Sequence, residues 1–298
     1  MKRIAKSFIA KAHRFGLPLP GRIAQRAENY SAYQQAQKMA CELFESKSLK
    51  YNEAGYWTID PMPSQVELDH YYSTAYWATR DDRKVLVKDR DIAHVNLLLE
   101  ADRELFLSAD PKTAVNFGAG HGGASFLFHA QGFKVINVDP YPGDVEFFDY
   151  RSALSQIDEP VDLFYASHSL EHVTDLFSTI SEIQRMVRPG GLVFIEVPNS
   201  LHPGYSQRTQ SGEQIPIIQP PHTIYLTKKF FESLSFDLVL NSTFVYQEYR
   251  WGVNLDDLGE VIRFIGRKSI WHLKDYKIRN SKTNVSTDEN AKSWIASD

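Results

Sequence analysis

The 298-residue chain has a single cysteine, Cys41. That excludes an internal disulfide framework and argues against a cysteine-built zinc site. It also lacks any run of about 18 apolar residues, so no transmembrane helix is expected. No internal repeat and no long low-complexity tract is present. Net positive charge is absent as well: the formal charge is −4, which gives no general electrostatic pull toward nucleic acid. No nucleic-acid partner is expected, and the cytoplasm is the compartment that fits such cysteine usage. One stretch lacks acids altogether. Between Met1 and Ala27 stand Lys2, Arg3, Lys6, Lys11, Arg14, Arg22 and Arg26, and the first acid is Glu28. Ile4, Phe8, Ala12 and Phe15 share one helical face there. Residues 1–27 read either as a peripheral membrane contact or as a solvated arm. They lack the apolar core and cleavage site of a secretory signal.

What is present is a globular composition. Hydrophobic residues make up 43% of the chain and aromatics 13%, enough for one large domain with a smaller appendage. Patterning predicts helices over 31–47 and 83–108 and a short strand from Tyr56 to Ile59. Ser64 with Glu67 reads as a capping box opening another helix. From Thr113 onward strands and helices alternate. Strands are expected at Thr113–Phe117, Lys134–Val138, Val145–Phe148, Val161–Ala166 and Leu192–Val197. Helices are expected at Ala124–Gln131, at Asp175–Val187 (stopped by Pro189-Gly190-Gly191) and from Thr227 to Leu234. This alternation predicts an α/β fold, a doubly wound, mostly parallel sheet. Phe236–Phe244 and Gly259–Gly266 lack a crossover helix between them and predict an antiparallel terminal pair. The divisions expected are 1–109 (basic arm, helices and a covering leader), 110–270 (the sheet domain) and 271–298 (a polar tail).

Four features follow one another within about 80 residues. Gly118-x-Gly120-x-x-Gly123 lies between a strand and a helix, where glycines let a ligand approach the backbone. Asp139 ends the next strand, placed to accept hydrogen bonds from ribose hydroxyls. These two alone serve a nicotinamide cofactor as well as another nucleoside. Next come Ser167-His168-Ser169-Leu170-Glu171-His172-Val173 and Arg188-Pro189-Gly190-Gly191 running to Pro198-Asn199. In this order the motifs resemble those of class I S-adenosylmethionine-dependent methyltransferases, over residues 113–267. Pro221-His222-Thr223-Ile224-Tyr225-Leu226-Thr227 and the leader Tyr56–Tyr72 are similar to a subgroup rich in small-molecule and sugar methyltransferases.

The resemblance implies a seven-stranded Rossmann-like methyltransferase sheet with a helical N-terminal extension, and S-adenosylmethionine as cofactor. It implies that Gly118, Ala119 and Gly120 meet the cofactor's amino-acid end and Asp139 the ribose. Pro140 would border the adenine, Asp149 would reach its amino group, and Ser167 and His168 would lie along the cofactor. Asn116 stands where the family usually has an acid. Only Tyr141-Pro142-Gly143-Asp144 separates Asp139 from the third strand, too short for the usual helix. Cysteines that hold a metal in some members are missing, so no metal is expected. His172 and His222 are the candidate catalytic bases, against the plainer role of capping or bonding a backbone carbonyl. Glu171 reads as structural, a residue that fixes His172. The 199–221 segment reads as a substrate lid or a surface insertion. Tyr71, Tyr72, Tyr76 and Trp77 are either packing residues or a stacking surface for a sugar. The expected reaction is methyl transfer to a small-molecule, sugar or polysaccharide acceptor, at oxygen. A non-catalytic scaffold and an NAD-dependent dehydrogenase are the alternatives. Nothing in the sequence speaks to oligomeric state.

Overall fold

A computed structural model describes residues 21–76, 87–141, 147–244 and 259–269. The hydrophobic face of residues 4–15, Trp77 and the polar tail lie outside the described residues. Helix α1 spans Gly21–Phe44, starting ten residues earlier than patterning predicts. Strands β1 (Ser48–Asn52) and β2 (Tyr56–Asp60) follow as a hairpin. The capping box at Ser64 is realised. The Glu67 amide donates to Ser64 Oγ at 3.3 Å and the Ser64 amide to Glu67 Oε2 at 2.8 Å, opening α2 (Gln65–Tyr71). One π-helical turn, Tyr72–Tyr76, extends it.

The long helix expected over 83–108 is two helices, α3 (Asp89–Ala101) and α4 (Arg103–Leu107). Asp102 breaks it by capping α4, its carboxylate accepting from the Leu105 amide at 2.9 Å. This side-chain bond competes with a continuous helical ladder. Strand β3 (Lys112–Phe117), α5 (Gly123–Ala130) and β4 (Phe133–Val138) form the first crossover unit. The third strand, β5, is Asp149–Arg151; of the strand expected at 145–148, residues 145 and 146 lie outside the described residues. Phe147 and Phe148 instead pack on Phe126, with ring centroids 5.3 and 4.7 Å away. Asp149 therefore begins this strand and does not follow it.

Strand β6 (Val161–Ser167) leads to a 3-10 turn, Leu170–His172, then α6 (Leu176–Met186). Asp175 caps α6 through the Ser178 amide at 2.9 Å. Leu176, Ile180, Ile183 and Met186 form its buried stripe, each stabilising by roughly 1.5–3 kcal/mol. Strand β7 runs from Val187 to Pro198, taking in the Pro-Gly-Gly segment expected to be a stop. The ladder absorbs that segment with a register shift between Val161 and Leu163. The 199–221 connection is not structureless: it holds the hairpin β8 (Ser206–Arg208) and β9 (Gln214–Pro216). Strand β10 (Ile224–Leu226), α7 (Lys228–Glu232), β11 (Asp237–Phe244) and β12 (Val261–Arg267) complete the described chain.

The main sheet has seven strands in the order β11-β12-β7-β6-β3-β4-β5. β5, β4, β3, β6 and β7 are parallel, while β12 is antiparallel to both neighbours. This is the doubly wound sheet with an antiparallel terminal pair. Its inner strands β3, β6 and β12 are buried over most of their length because both faces are covered. Winding reverses between β3 and β6, so the crevice outside their carboxyl ends is where an open α/β sheet binds ligands. A second sheet, β1-β2-β10, joins the leader to the segment after the hairpin.

Candidate active site

The loops after β3 and β6 meet at that reversal. Gly118, Gly120 and Gly122 take φ of 68°, 53° and 72°, left-handed values that glycine adopts without a Cβ penalty. A Cβ on Gly118 would lie 2.1 Å from Ser169 Oγ, so only glycine permits this approach. The Gly118 amide donates to Val138 O at 2.7 Å. Asp139 is 9% exposed; its carboxylate accepts from the amides of Gly120 and Tyr141, each at 2.8 Å. Tyr150 Oη donates to Gly120 O at 3.0 Å. These residues fit a nucleoside. The turn offers backbone rather than side chains, and carboxylate oxygens can each accept further hydrogen bonds.

Behind the turn sits a neutral relay. Asn116, 3% exposed, donates to Ser125 Oγ at 2.8 Å, and that hydroxyl donates to Asn137 at 2.5 Å. An acid at position 116 would bury a charge against two neutral partners, at a desolvation cost. Asp149 is exposed and paired with Arg151. The structure thus brings Asn116, Gly118, Ala119, Gly120 and Asp139 around one turn. Asp149 sits on the far edge strand.

Facing the turn is a cluster of histidines around Glu171. His168 takes φ of 52°, uncommon outside glycine, with its amide donating to Glu196 O at 2.8 Å. Its ring spans two carboxylates, Nδ1 3.4 Å from Glu171 and Nε2 3.3 Å from Glu196. Burial opposes a charge on His168, but the two carboxylates outweigh it and raise the group to about 9. Burial likewise opposes the Glu171 charge; His168 and His172 overcome it and lower the carboxyl to about 2. His172 Nε2 lies 3.9 Å from Glu171, and its Nδ1 is 3.0 Å from Tyr72 Oη. His222 stands edge-on to His172 with centroids 5.0 Å apart. Burial first, then the neighbouring His172 imidazole, lowers His222 to about 4. Glu171 is therefore the hub of the cluster, in contact with His168 as well as His172.

Two chain segments hold the cluster. The Thr223 amide donates to Glu171 O at 2.9 Å and its hydroxyl to Val173 O at 2.7 Å. This pins His222 beside the 3-10 turn. The leader closes the other side: Tyr72 stacks on Tyr141 at 5.5 Å, and Tyr141 hydrogen-bonds Asp69. A larger cleft of about 640 Å³, lined by Leu201, Ser206, Arg208, Gln214 and Lys228 among others, includes none of these histidines.

Beneath the cluster lies a charged network that sequence reasoning missed. Glu196 accepts from Arg263 at 2.7 Å and from His94 Nε2 at 2.8 Å. Since Nε2 carries that proton, His94 Nδ1 accepts from Tyr165 Oη at 2.9 Å. The signal was available, because Glu196 and Arg263 interrupt apolar strands, and buried charges of that kind need partners.

A family model described as a methyltransferase domain matches residues 92–241, half of the chain. The chain belongs to this methyltransferase-domain family. Membership decides between the two cofactor classes that the glycine turn and Asp139 left open, and the dehydrogenase reading falls away. No curated protein matches the chain. Among solved structures it is similar to an S-adenosylmethionine-dependent methyltransferase from Mesorhizobium loti. That match has 15% identity and a TM-score of 0.40, covering 59% of this chain and 98% of that one. It is also similar to 1,6-didemethyltoxoflavin-N1-methyltransferase from Burkholderia thailandensis, solved with bound 1,6-didemethyltoxoflavin and S-adenosylhomocysteine. There the identity is 17% and the TM-score 0.46, over 74% and 99% of the two chains. The [4+2]-cyclase SpnF matches at 14% identity and a TM-score of 0.44, over 61% and 81%. Among the described residues no helix is long and apolar enough to cross a membrane.

Proposed function

We propose that this methyltransferase-family chain moves the methyl group of S-adenosylmethionine to an oxygen of a small-molecule or sugar acceptor, a polysaccharide end included. The observation that carries the reading is the meeting of a glycine turn with a histidine cluster across the β3/β6 reversal. The turn and Asp139 bind the nucleoside, with Pro140 beside the adenine and Ser167 and His168 along the chain of the cofactor. The acceptor sits between the cofactor and the cluster, under Tyr72 and the 199–221 segment. His172 takes the acceptor's proton as the bond to carbon forms, and Glu171 stabilises the imidazolium. His222 is held uncharged at neutral pH and orients the acceptor by a hydrogen bond. The S–CH₃ bond breaks as the O–CH₃ bond forms, and its electron pair returns to sulfur. Positioning the acceptor in line supplies much of the acceleration.

Calorimetric titration with S-adenosylmethionine tests the first half. Saturable binding that Asp139→Ala weakens at least tenfold, a loss of about 1.4 kcal/mol, supports it. Absence of binding at millimolar nucleoside overturns it. For the second half, His172→Ala should lower turnover by about 10²–10⁴-fold while leaving nucleoside affinity within twofold. Equal loss of both would make His172 a structural residue.

A further inference from the structure

We propose that Glu171, His172 and His222 form a binding site for one first-row divalent cation, of the zinc, cobalt or manganese kind. This departs from the expectation of no metal drawn from the missing cysteines. The three side chains each offer a ligand atom, and those atoms all lie within 4.8 Å of one another. Two imidazoles and a carboxylate are a donor set that such cations accept. Ligand bonds of about 2.0–2.2 Å require the cluster to contract around the ion.

A second observation points the same way. Glu171 is 2% exposed, yet neither carboxylate oxygen has a hydrogen-bond partner of normal geometry. Its contact with His168 is 3.4 Å long. A buried carboxylate normally fills its acceptor sites; beyond His168, Glu171 has His172 Nε2 at 3.9 Å and a ring nitrogen of His222 within 4.8 Å. Glu171 and His222 also border a cavity of about 10 Å³, about the room that one water needs.

The surroundings are those of a prepared ligand set. Tyr72 Oη holds His172 Nδ1 at 3.0 Å. With the proton on Nδ1, the ring presents the lone pair of Nε2 toward Glu171. Such outer partners fix the tautomer of a metal-bound histidine. The hydrogen bond from the Thr223 amide to Glu171 O fixes the two ligand-bearing segments relative to each other.

The inference deepens the methyl-transfer reading and rests on it for its use, though not for its test. In the loaded site His172 is a ligand and no longer a base. A cation held by Glu171, His172 and His222 would supply Lewis-acid assistance to ionisation of the acceptor hydroxyl in place of the His172 base.

The full chain, stripped by chelation, is titrated with Co²⁺ and followed by visible absorption and by metal analysis after dialysis. Expected is one equivalent retained, with a ligand-field spectrum. His222→Ala and Glu171→Gln should abolish both, and Tyr72→Phe should weaken binding by about tenfold. His168→Gln should keep the equivalent, because His168 lies outside the ligand set. Circular dichroism checks that the variants fold; if Glu171→Gln does not, His222→Ala decides. No retained cobalt in the wild type, or equal retention in His222→Ala, overturns the proposal. Binding of S-adenosylhomocysteine measured on the same samples keeps the two claims apart. Cobalt without nucleoside sustains the cation site and sinks the methyl-transfer reading, and nucleoside without cobalt does the reverse.

Discussion

Gly118 is the residue on which the two halves of the site depend. Its φ of 68° alone makes alanine unfavourable by roughly 1–2 kcal/mol. The overlap with Ser169 adds a clash between loops. Gly118→Ala is therefore expected to abolish nucleoside binding and lower thermal stability. Adding Ser169→Gly removes the clash but not the backbone strain, so it should restore part of the loss. Full additivity of the two changes, measured by calorimetry and thermal unfolding, would show that the loops do not touch. His168 gives a pH test. Its ordinary value of 6.5 is raised to about 9 in the folded chain. A raised group adds stability that is complete below the unfolded value and lost as pH rises through the folded one. Thermal unfolding temperature should thus fall between about pH 6.5 and 9 more steeply in wild type than in His168→Gln. Parallel curves would remove the two-carboxylate clamp.

Elements with strong local signals are legible in the amino-acid sequence itself. The apolar runs of β3, β4 and β6 and the stripe of α6 need only periodicity, and the Ser64–Glu67 box needs only spacing. The glycine turn and Asp139 are legible because strand-turn-helix spacing locates them. Elements made by distant partners are not. β10 has three residues, too few for any period to show, and exists because it pairs with β2, more than 160 positions away. The contact between Tyr72 and His172 spans 100 positions. The same applies to β5, where the Phe147-Phe148 pair looks strand-like but is used for packing on α5. Reading Asp102 as a helix cap inside a seemingly continuous stripe requires weighing its side chain against the ladder.

At the scale of the molecule, one buried acid joins four pieces of the fold. Glu196 on β7 is bonded to Arg263 on β12 and His94 on α3, and its other oxygen faces His168 from the loop after β6. Burial resists the Glu196 charge, but His94 and His168 keep the carboxyl well below its usual range. Removing one member of a buried pair costs about 3–5 kcal/mol. Arg263→Met should therefore lower unfolding free energy by about that amount in a denaturant titration. It should also weaken nucleoside binding through His168. A loss under about 1 kcal/mol, the scale of an exposed pair, would show that His94 and His168 hold the acid without Arg263.

The pairing of β2 with β10 has a consequence for where this chain can be cut. The family match begins at Ile92, and a fragment starting there would keep every strand of the main sheet. It would nevertheless leave β10 with an unpaired edge two residues after His222, and it would strip Tyr72 from His172. Exposed strand edges recruit other chains. A fragment meant to stand alone is therefore expected to need the leader as well as the matched segment.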